Sequence, residues 1–369
     1  MKDVVDSFDQ TFGTRSAVIA IDEPGGEGRV YPNRVVERLV QNDRNSYRRI
    51  ANFVDDYPCD VLNIQHEYGL FGGDEGEWVL DLIRGTRKAV VTSLHTVLPE
   101  PTAEHQRVAR ELCQASTAVV VLSETGRELL IDRYGVDPAK IQVIHHGVPD
   151  VPFRETEPQK RALGLDGRMT ISTFGLINRG KGLEYAIDAM NAVVALHPEA
   201  LYLILGQTHP VIRRREGESY RRELEAKIAE NGLAENVKLV DKYLDFDELL
   251  AYLGATDIYL TPYLNPTQVV SGTLAYAIGC GKAVVSTPYL YAQELLAHGR
   301  GFLTPFRDAS AIATTLVALL DDPALRESTE RRAYRFGRRM TWPNVAQAYG
   351  ALFASLVPQP QRTALATPA

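Results

Sequence analysis

The chain has 369 residues, 45% of them hydrophobic and 24% charged, with a formal net charge of −7. That balance excludes a mainly disordered chain and argues against non-specific grip on nucleic acid as the main task. The length points to two domains, and no apolar run approaches the ~20 residues of a spanning helix.

The three cysteines, Cys59, Cys113 and Cys280, are widely spaced and form no C-x-x-C. They read as reduced thiols of a cytoplasmic protein, without a disulfide frame or metal site. The start, MKDVVDSFDQ, is too charged for a secretory signal. Contact with a membrane surface stays compatible with this composition.

In chain order, a helix-like segment comes first, Asp3 to Phe12. Strands are then expected at 17–22, 61–65, 89–94, 118–123 and 141–146, from short β-branched runs such as AVVTSL and AVVVLS. Helices are expected near 45–56, 75–85, 102–115 and 124–134, the last capped by Ser123. A proline-bearing stretch with little periodicity predicts a linker at roughly 148–167. The alternation restarts with strands at 169–174, 201–206, 237–240, 258–262, 283–287 and 302–306, helices lying between them. Helices at about 308–320, 323–339 and 342–356 follow, and the last dozen residues read as a disordered tail. This α/β alternation predicts two doubly wound, Rossmann-like domains facing a cleft: residues 1–150, and 151–340. Ligands of such sheets sit at the carboxyl ends of the strands.

Two loops of the second domain suit a phosphate. FGLINRGKG (Phe174 to Gly182) opens like G-x-x-x-x-G-K-[ST] but has Gly182 where a nucleotide-hydrolysing loop needs a hydroxyl for magnesium. Gly175 and its neighbouring glycines allow close backbone approach, and Arg179 and Lys181 supply positive charge. The second loop leads to Ser271, Gly272 and Thr273, at the start of an apolar helix. A helix start offers unpaired N–H groups and partial positive charge. Plain N-capping by Ser271 is the alternative there.

The motifs SLHTVL, VVLSETGRELL, IQVIHHGVPD, FGLINRGKG, TDIYLTPYLN, SGTLAYAIGCGKAVVST and WPNVAQAYGALF, in this order, resemble the retaining GT-B glycosyltransferases of family 4 ("group 1") over about 17–356. The resemblance implies a C-terminal domain that holds a nucleotide-sugar and an N-terminal domain that receives the acceptor. It implies a final helix, 341–357, crossing back to the first domain, and a metal-independent transfer with retention of configuration. No cofactor is implied beyond the nucleotide-sugar substrate. The partners are that donor and a glycan, lipid-linked or small-molecule acceptor, with mannose or glucose as the family-level sugars.

By position, His95 matches the family's histidine near the transferred sugar. Lys181 matches the lysine on the diphosphate, and Ser271 and Gly272 fall where backbone amides bind it. Glu294 keeps a carboxylate the family often shows. Where the family often has two glutamates, this chain has Gln268 and Tyr276, and Leu176 replaces a common arginine, for which Arg179 could substitute. His66 and Glu67, in the glycine-rich stretch QHEYGLFGG, and His146, beside His145, are acceptor-side candidates. By the same resemblance AVIAID matches the second strand, which implies that the first domain lacks the family's first strand and its Gly-rich loop. An in-frame strand encoded upstream, a natural truncation or a lost requirement would each account for that. Asp245-Phe246-Asp247 imitates a metal-binding D-x-D, but Glu248 makes a capping box the better account. These departures set a second reading beside the enzyme: a catalytically weakened or inactive GT-B scaffold that binds a sugar or a partner.

Overall fold

The computed structural model describes residues 2–26, 29–153 and 155–357. The expected tail at 358–369 lies outside the described residues. The chain clusters into two units, Met1–His145 with Val345–Ala369, and His146–Asn344.

The first unit begins with α1 (Lys2–Phe12), β1 (Val18–Asp22), β2 (Val35–Val40) and α2 (Arg44–Asp56). It continues through β3 (Val61–His66), α3 (Val79–Gly85), β4 (Ala89–Leu94), α4 (Ala103–Ala115), β5 (Ala118–Val121), α5 (Glu124–Asp132) and β6 (Ile141–Val143). Strands β3-β4-β5-β6 form one parallel sheet in sequence order, and β1 and β2 form a separate parallel pair. All four residues of β5 and five of six in β4 are buried, which is why these strands read as continuous apolar runs. Strand β2 escaped the sequence reading because Glu37 and Arg38 interrupt it; it is an edge strand with alternating exposure. Ser123 caps α5 by accepting from the Gly126 amide, as expected.

The second unit starts with α6 (Glu157–Ala162), a short helix inside the expected linker, followed by β7 (Met169–Phe174), α7 (Leu183–Leu196) and β8 (Ala200–Leu205). Then come α8 (Pro210–Glu216), α9 (Ser219–Glu230), β9 (Val237–Val240), α10 (Phe246–Gly254), β10 (Ile258–Thr261), α11 (Gly272–Gly279) and β11 (Ala283–Ser286). The remaining elements are α12 (Leu290–Leu296), β12 (Phe302–Leu303), α13 (Ala309–Asp321), α14 (Pro323–Gly337) and α15 (Trp342–Leu356), whose residues from Val345 cluster with the first unit. The sheet is six-stranded and parallel, in the order β12-β11-β10-β7-β8-β9. Neighbours β10 and β7 lie at its centre, so the loops after them emerge side by side. Asp245 and Glu248 form the expected capping box at the head of α10.

A buried ion pair ties α6 to this sheet. Lys160 Nζ lies 2.7 Å from Asp257 Oδ2, and the two residues are 1% and 3% exposed. The same Asp257 oxygen accepts the Thr170 amide at 2.7 Å, while Oδ1 accepts from Thr156 Oγ1. Removing one member of such a pair strands its partner's charge out of water. Lys160 keeps Glu157 at 3.1 Å, but Asp257→Ala also removes the acceptor of the Thr170 amide, so it is expected to destabilise the protein by ~3–5 kcal/mol in urea unfolding; Lys160→Met, which leaves Asp257 its Thr170 and Thr156 donors, costs distinctly less.

Candidate functional site

The second unit gathers Gly175, Lys181, Ser271, Gly272 and Thr273 at the carboxyl ends of β7 and β10. Gly175 follows β7 at φ 125°, a conformation that favours glycine. A Cβ there would lie 3.3 Å from Thr273 Cγ2 and 3.6 Å from Lys181 Nζ, so the lysine head, the glycine and the helix start share one small space. Gly182 bends at φ 60°, where a Cβ would meet the Pro262 carbonyl at 2.2 Å. That close approach fixes the path of Lys181.

Lys181 is half-buried, and its ammonium sits 3.8 Å from the centroid of the Tyr263 ring. Among the described residues no carboxylate pairs with it. Burial lowers its pKa from the ordinary 10.5 to about 8. Tyr263 Oη lies 2.8 Å from Thr273 Oγ1, which is 3.2 Å from Ser271 Oγ. Ser271 caps α11 by accepting from the Leu274 amide, and its carbonyl accepts the Ala275 amide. The amides of Gly272 and Thr273 are left as the outward donors of the helix start. The arrangement offers one cation, two backbone donors and two hydroxyls.

The other second-unit residues singled out in the sequence fall around this group in different ways. Arg179 turns away: its guanidinium pairs with Glu223 at 2.7 Å and lies over the Tyr220 ring. Gln268 donates its side-chain amide to the Val270 carbonyl at 2.8 Å, bracing the loop ahead of Ser271. Tyr276 is half-buried on α11, its ring 6.0 Å from that of His146. Glu294 stands on α12, near Tyr291 and Arg300. His146 belongs to this unit; a Cβ on Gly272 would lie 2.9 Å from its Nε2. The expected strand 141–146 stops at Val143, so His145 and His146 are not alternating strand residues, and His146 Nδ1 lies 2.8 Å from the Gly147 carbonyl.

In the first unit His66, Glu67 and His95 come together at the carboxyl ends of β3 and β4. The His95 amide donates to the His66 carbonyl at 3.0 Å. His95 Nε2 lies 2.8 Å from Gln65 Oε1, an acceptor that holds the proton on that nitrogen. Glu67 accepts from Thr96 Oγ1 at 2.8 Å and from the Tyr68 amide. His66 is 1% exposed and stacks on Phe71, with no hydrogen-bond partner for either ring nitrogen among the described residues. Burial, and secondarily the charge of His95, lowers its pKa to about 4, so its ring is neutral at physiological pH. The sequence reading missed the polar strip that positions His95. Ser93 Oγ reaches Asn63 Oδ1 at 3.2 Å and Tyr349 Oη at 3.0 Å, and Gln65 also bonds Tyr349. Its signal was present in β3, where Asn63 and Gln65 alternate with apolar residues.

Among the described residues, no group of three or more His, Cys, Asp or Glu side chains is arranged to hold a metal ion. No described helix is long and apolar enough to cross a membrane.

Residues 11–150 match the family Glycosyltransferase Family 4, and residues 168–322 match Glycosyl transferases group 1. An uncharacterized glycosyltransferase of Methanocaldococcus jannaschii is 24% identical, the match covering 65% of this chain and 58% of that protein. Phosphatidyl-myo-inositol mannosyltransferase of Mycobacterium leprae is 24% identical, covering 86% and 80%. D-inositol 3-phosphate glycosyltransferase of Stackebrandtia nassauensis is 27% identical, covering 74% and 63%. The chain thus spans about three fifths of the length of two of these relatives. Among solved structures, Anabaena HepE in complex with UDP matches with a TM-score of 0.77 at 18% identity, covering 96% of this chain and 95% of that one. Sucrose-phosphate synthase from Thermosynechococcus elongatus matches at 0.76 and 17%, covering 96% and 92%. These structures share the GT-B fold of two Rossmann-like domains, and that is the fold of this chain.

An anion that replaces water around Lys181 favours the ammonium form, which is lost as pH rises through about 8. The advantage of the wild-type protein over Lys181→Ala in binding pyrophosphate is therefore expected to be largest below that pH and to fade above it. Calorimetric titration of both proteins at a series of pH values reads the difference directly.

Proposed function

The chain belongs to glycosyltransferase family 4, the group 1 glycosyltransferases, and from that premise we propose that it is a retaining, metal-independent hexosyltransferase. It moves a hexose, mannose or glucose, from a nucleotide-diphosphate sugar to a glycan, lipid-linked or small-molecule acceptor. One observation carries this reading: the half-buried ammonium of Lys181 has no carboxylate partner among the described residues and faces Gly175 and the start of α11. A diphosphate supplies the missing charge. The names of the relatives, a phosphatidyl-myo-inositol mannosyltransferase and a D-inositol 3-phosphate glycosyltransferase, support the hexose and the polar acceptor.

In this mechanism the glycosidic bond breaks with negative charge growing on the leaving phosphate. Lys181 and the amides of Gly272 and Thr273 stand ready for that charge, and one preorganised donor of this kind lowers the barrier by ~3 kcal/mol. The cation and the helix terminus take the part a metal would otherwise play. In this reading the acceptor hydroxyl attacks from the face the phosphate leaves, and the phosphate takes its proton. Gln268, Tyr276 and Glu294 are assigned to the donor's sugar and ribose. His95, its tautomer held by Gln65, is assigned to the sugar hydroxyls and the developing positive charge. Glu67 and His146 are assigned to the acceptor, and His66 supports that loop by packing on Phe71. The protein works in the cytoplasm, where nucleotide-sugars are made.

Two findings favour the second reading, a binding scaffold with weakened catalysis: Arg179 is engaged by Glu223, and Gln268 by Val270. Transfer or donor hydrolysis by the purified protein separates the two. A panel of nucleotide-sugars in a thermal-shift assay finds the donor, since a ligand at a hundred times its dissociation constant adds about 2.7 kcal/mol. With that donor, Lys181→Ala is expected to lower turnover by ~10²-fold. An unchanged rate removes the phosphate assignment.

A further inference from the structure

The loops after β3 and β4 carry the opposite electrostatics to the surroundings of Lys181. Residues 67–78 and 95–104 hold six carboxylates, Glu67, Asp74, Glu75, Glu77, Glu100 and Glu104, and neither a lysine nor an arginine. Arg107, the next arginine along the chain, is already committed to Glu77, Glu104 and Glu111. His105 is engaged as well: Nε2 lies 2.8 Å from Glu75 Oε2 and Nδ1 lies 2.6 Å from Thr102 Oγ1. His66 supplies no charge either, because burial keeps its ring neutral against Phe71.

Within this group Glu67 is half-buried, and among the described residues no lysine, arginine or histidine pairs with it. Two loops fix its carboxylate. Oε2 accepts from Thr96 Oγ1 at 2.8 Å, beyond β4, and Oε1 accepts from the Tyr68 amide at 3.0 Å, beyond β3. These bonds use about half of the roughly four lone-pair sites of an ionised carboxylate. The sites that remain can only accept, so whatever meets them must donate. Hydroxyl groups do. A phosphate brings acceptor oxygens and charge of the same sign, and like charges at close range in a partly buried site repel strongly. It also leaves its hydration behind without meeting a cation that could replace it.

Resting on the transferase reading, which sets the acceptor against this loop, we propose that the acceptor is an uncharged sugar or polyol, that phosphorylated acceptors are excluded, and that Glu67 is the specificity-determining residue. Adjacent hydroxyls of the acceptor donate to the two oxygens of Glu67. Thr96 is the positioning residue, since its hydroxyl holds one of those oxygens in place. A site built to pair with hydroxyls rejects a compound that leaves its polar groups unpaired, and a like charge adds to that rejection.

The test uses the full chain with the nucleotide-sugar that the thermal-shift panel selects. Glucose, mannose and myo-inositol are each offered beside a monophosphate ester, and mass spectrometry separates transfer from donor hydrolysis. At least one neutral compound is expected to be glycosylated at low salt with a kcat/KM ~tenfold or more above that of its ester. Raising the salt to about 0.5 M is expected to shrink this gap, because screening weakens the repulsion. Glu67→Gln keeps the shape and drops the charge. It is expected to raise KM for the neutral compound by ~tenfold and to narrow the gap to the ester. Thr96→Val is expected to raise the same KM while the gap keeps its salt dependence. Preference for an ester overturns the proposal, as does a gap that neither salt nor Glu67→Gln changes. Donor hydrolysis with transfer to none of the neutral compounds also overturns it, while the donor assignment stands. A donor left intact throughout removes the transferase reading and this proposal together.

Discussion

The second unit is organised around a cation, Lys181, that finds no counter-charge among the described residues. Its other lysines that are not exposed all meet oxygen. Lys160 pairs with Asp257, Lys227 with Asp188, and Lys282 donates to the Gly254 and Thr256 carbonyls. Buried Arg221 likewise reaches the Gly206 carbonyl and Asp241. Lys181 instead lies against the face of Tyr263, a weaker source of compensation than a carboxylate. Withdrawing an ammonium from water without pairing it disfavours the charged form. The arrangement makes sense when the compensating charge arrives with a ligand. The glycines let the backbone pack closely around this space: a Cβ on Gly206 would meet the Gly175 carbonyl at 2.2 Å, just as one on Gly182 would meet Pro262.

The remaining positive potential comes from backbone. With Arg179 held by Glu223 and Leu176 in place of an arginine, the start of α11 is the second contributor. A helix terminus amounts to about half a unit charge, and its influence fades within a turn. Its value here depends on distance, hence on the loop that delivers Ser271. That loop is braced by the Gln268 side chain on Val270 and by the Gln268 carbonyl, which accepts the Tyr291 amide. A glutamate at 268 could not donate to a carbonyl in this way. The substitution that weakens the charge of the site therefore also stiffens the element that carries its dipole.

The parallel strands were legible because burial on both faces leaves a continuous apolar signature, and β4, β7 and β9 match their expected limits. Edge and short elements were not. Charges interrupt β2, and β6 ends at Val143, where a single further ladder bond, from the Ile144 amide to Val121, closes it. Glycine spacing and the polar start of an apolar helix made the loops of the candidate site visible, since they reflect backbone demands that few residue types meet. Side-chain direction left no such trace. Nothing in the order of residues says that Arg179 turns to Glu223, or that Ser93 meets Tyr349, a residue 256 positions away. His66 shows the same limit: a histidine at a strand end reads as functional, but its ring stacks inside the core on Phe71.

Strand β3 bears on the chemistry of the first unit. Among the described residues it is laddered to β4 alone, its inner half lines a cavity of about 640 Å³, and its outer end carries Gln65, His66 and, just beyond, Glu67. The orientation of His95 depends on Gln65 Oε1, and that of Glu67 on Thr96. A strand bonded along one edge is freer to shift than one bonded along both, because every missing ladder bond removes a restraint on the backbone that carries these side chains. A hydrogen bond weakens steeply once its geometry departs from the optimum. Small displacements of β3 would thus loosen His95 before they disturbed the core of α2 and α3, which Tyr47, Ile50 and Leu82 keep buried.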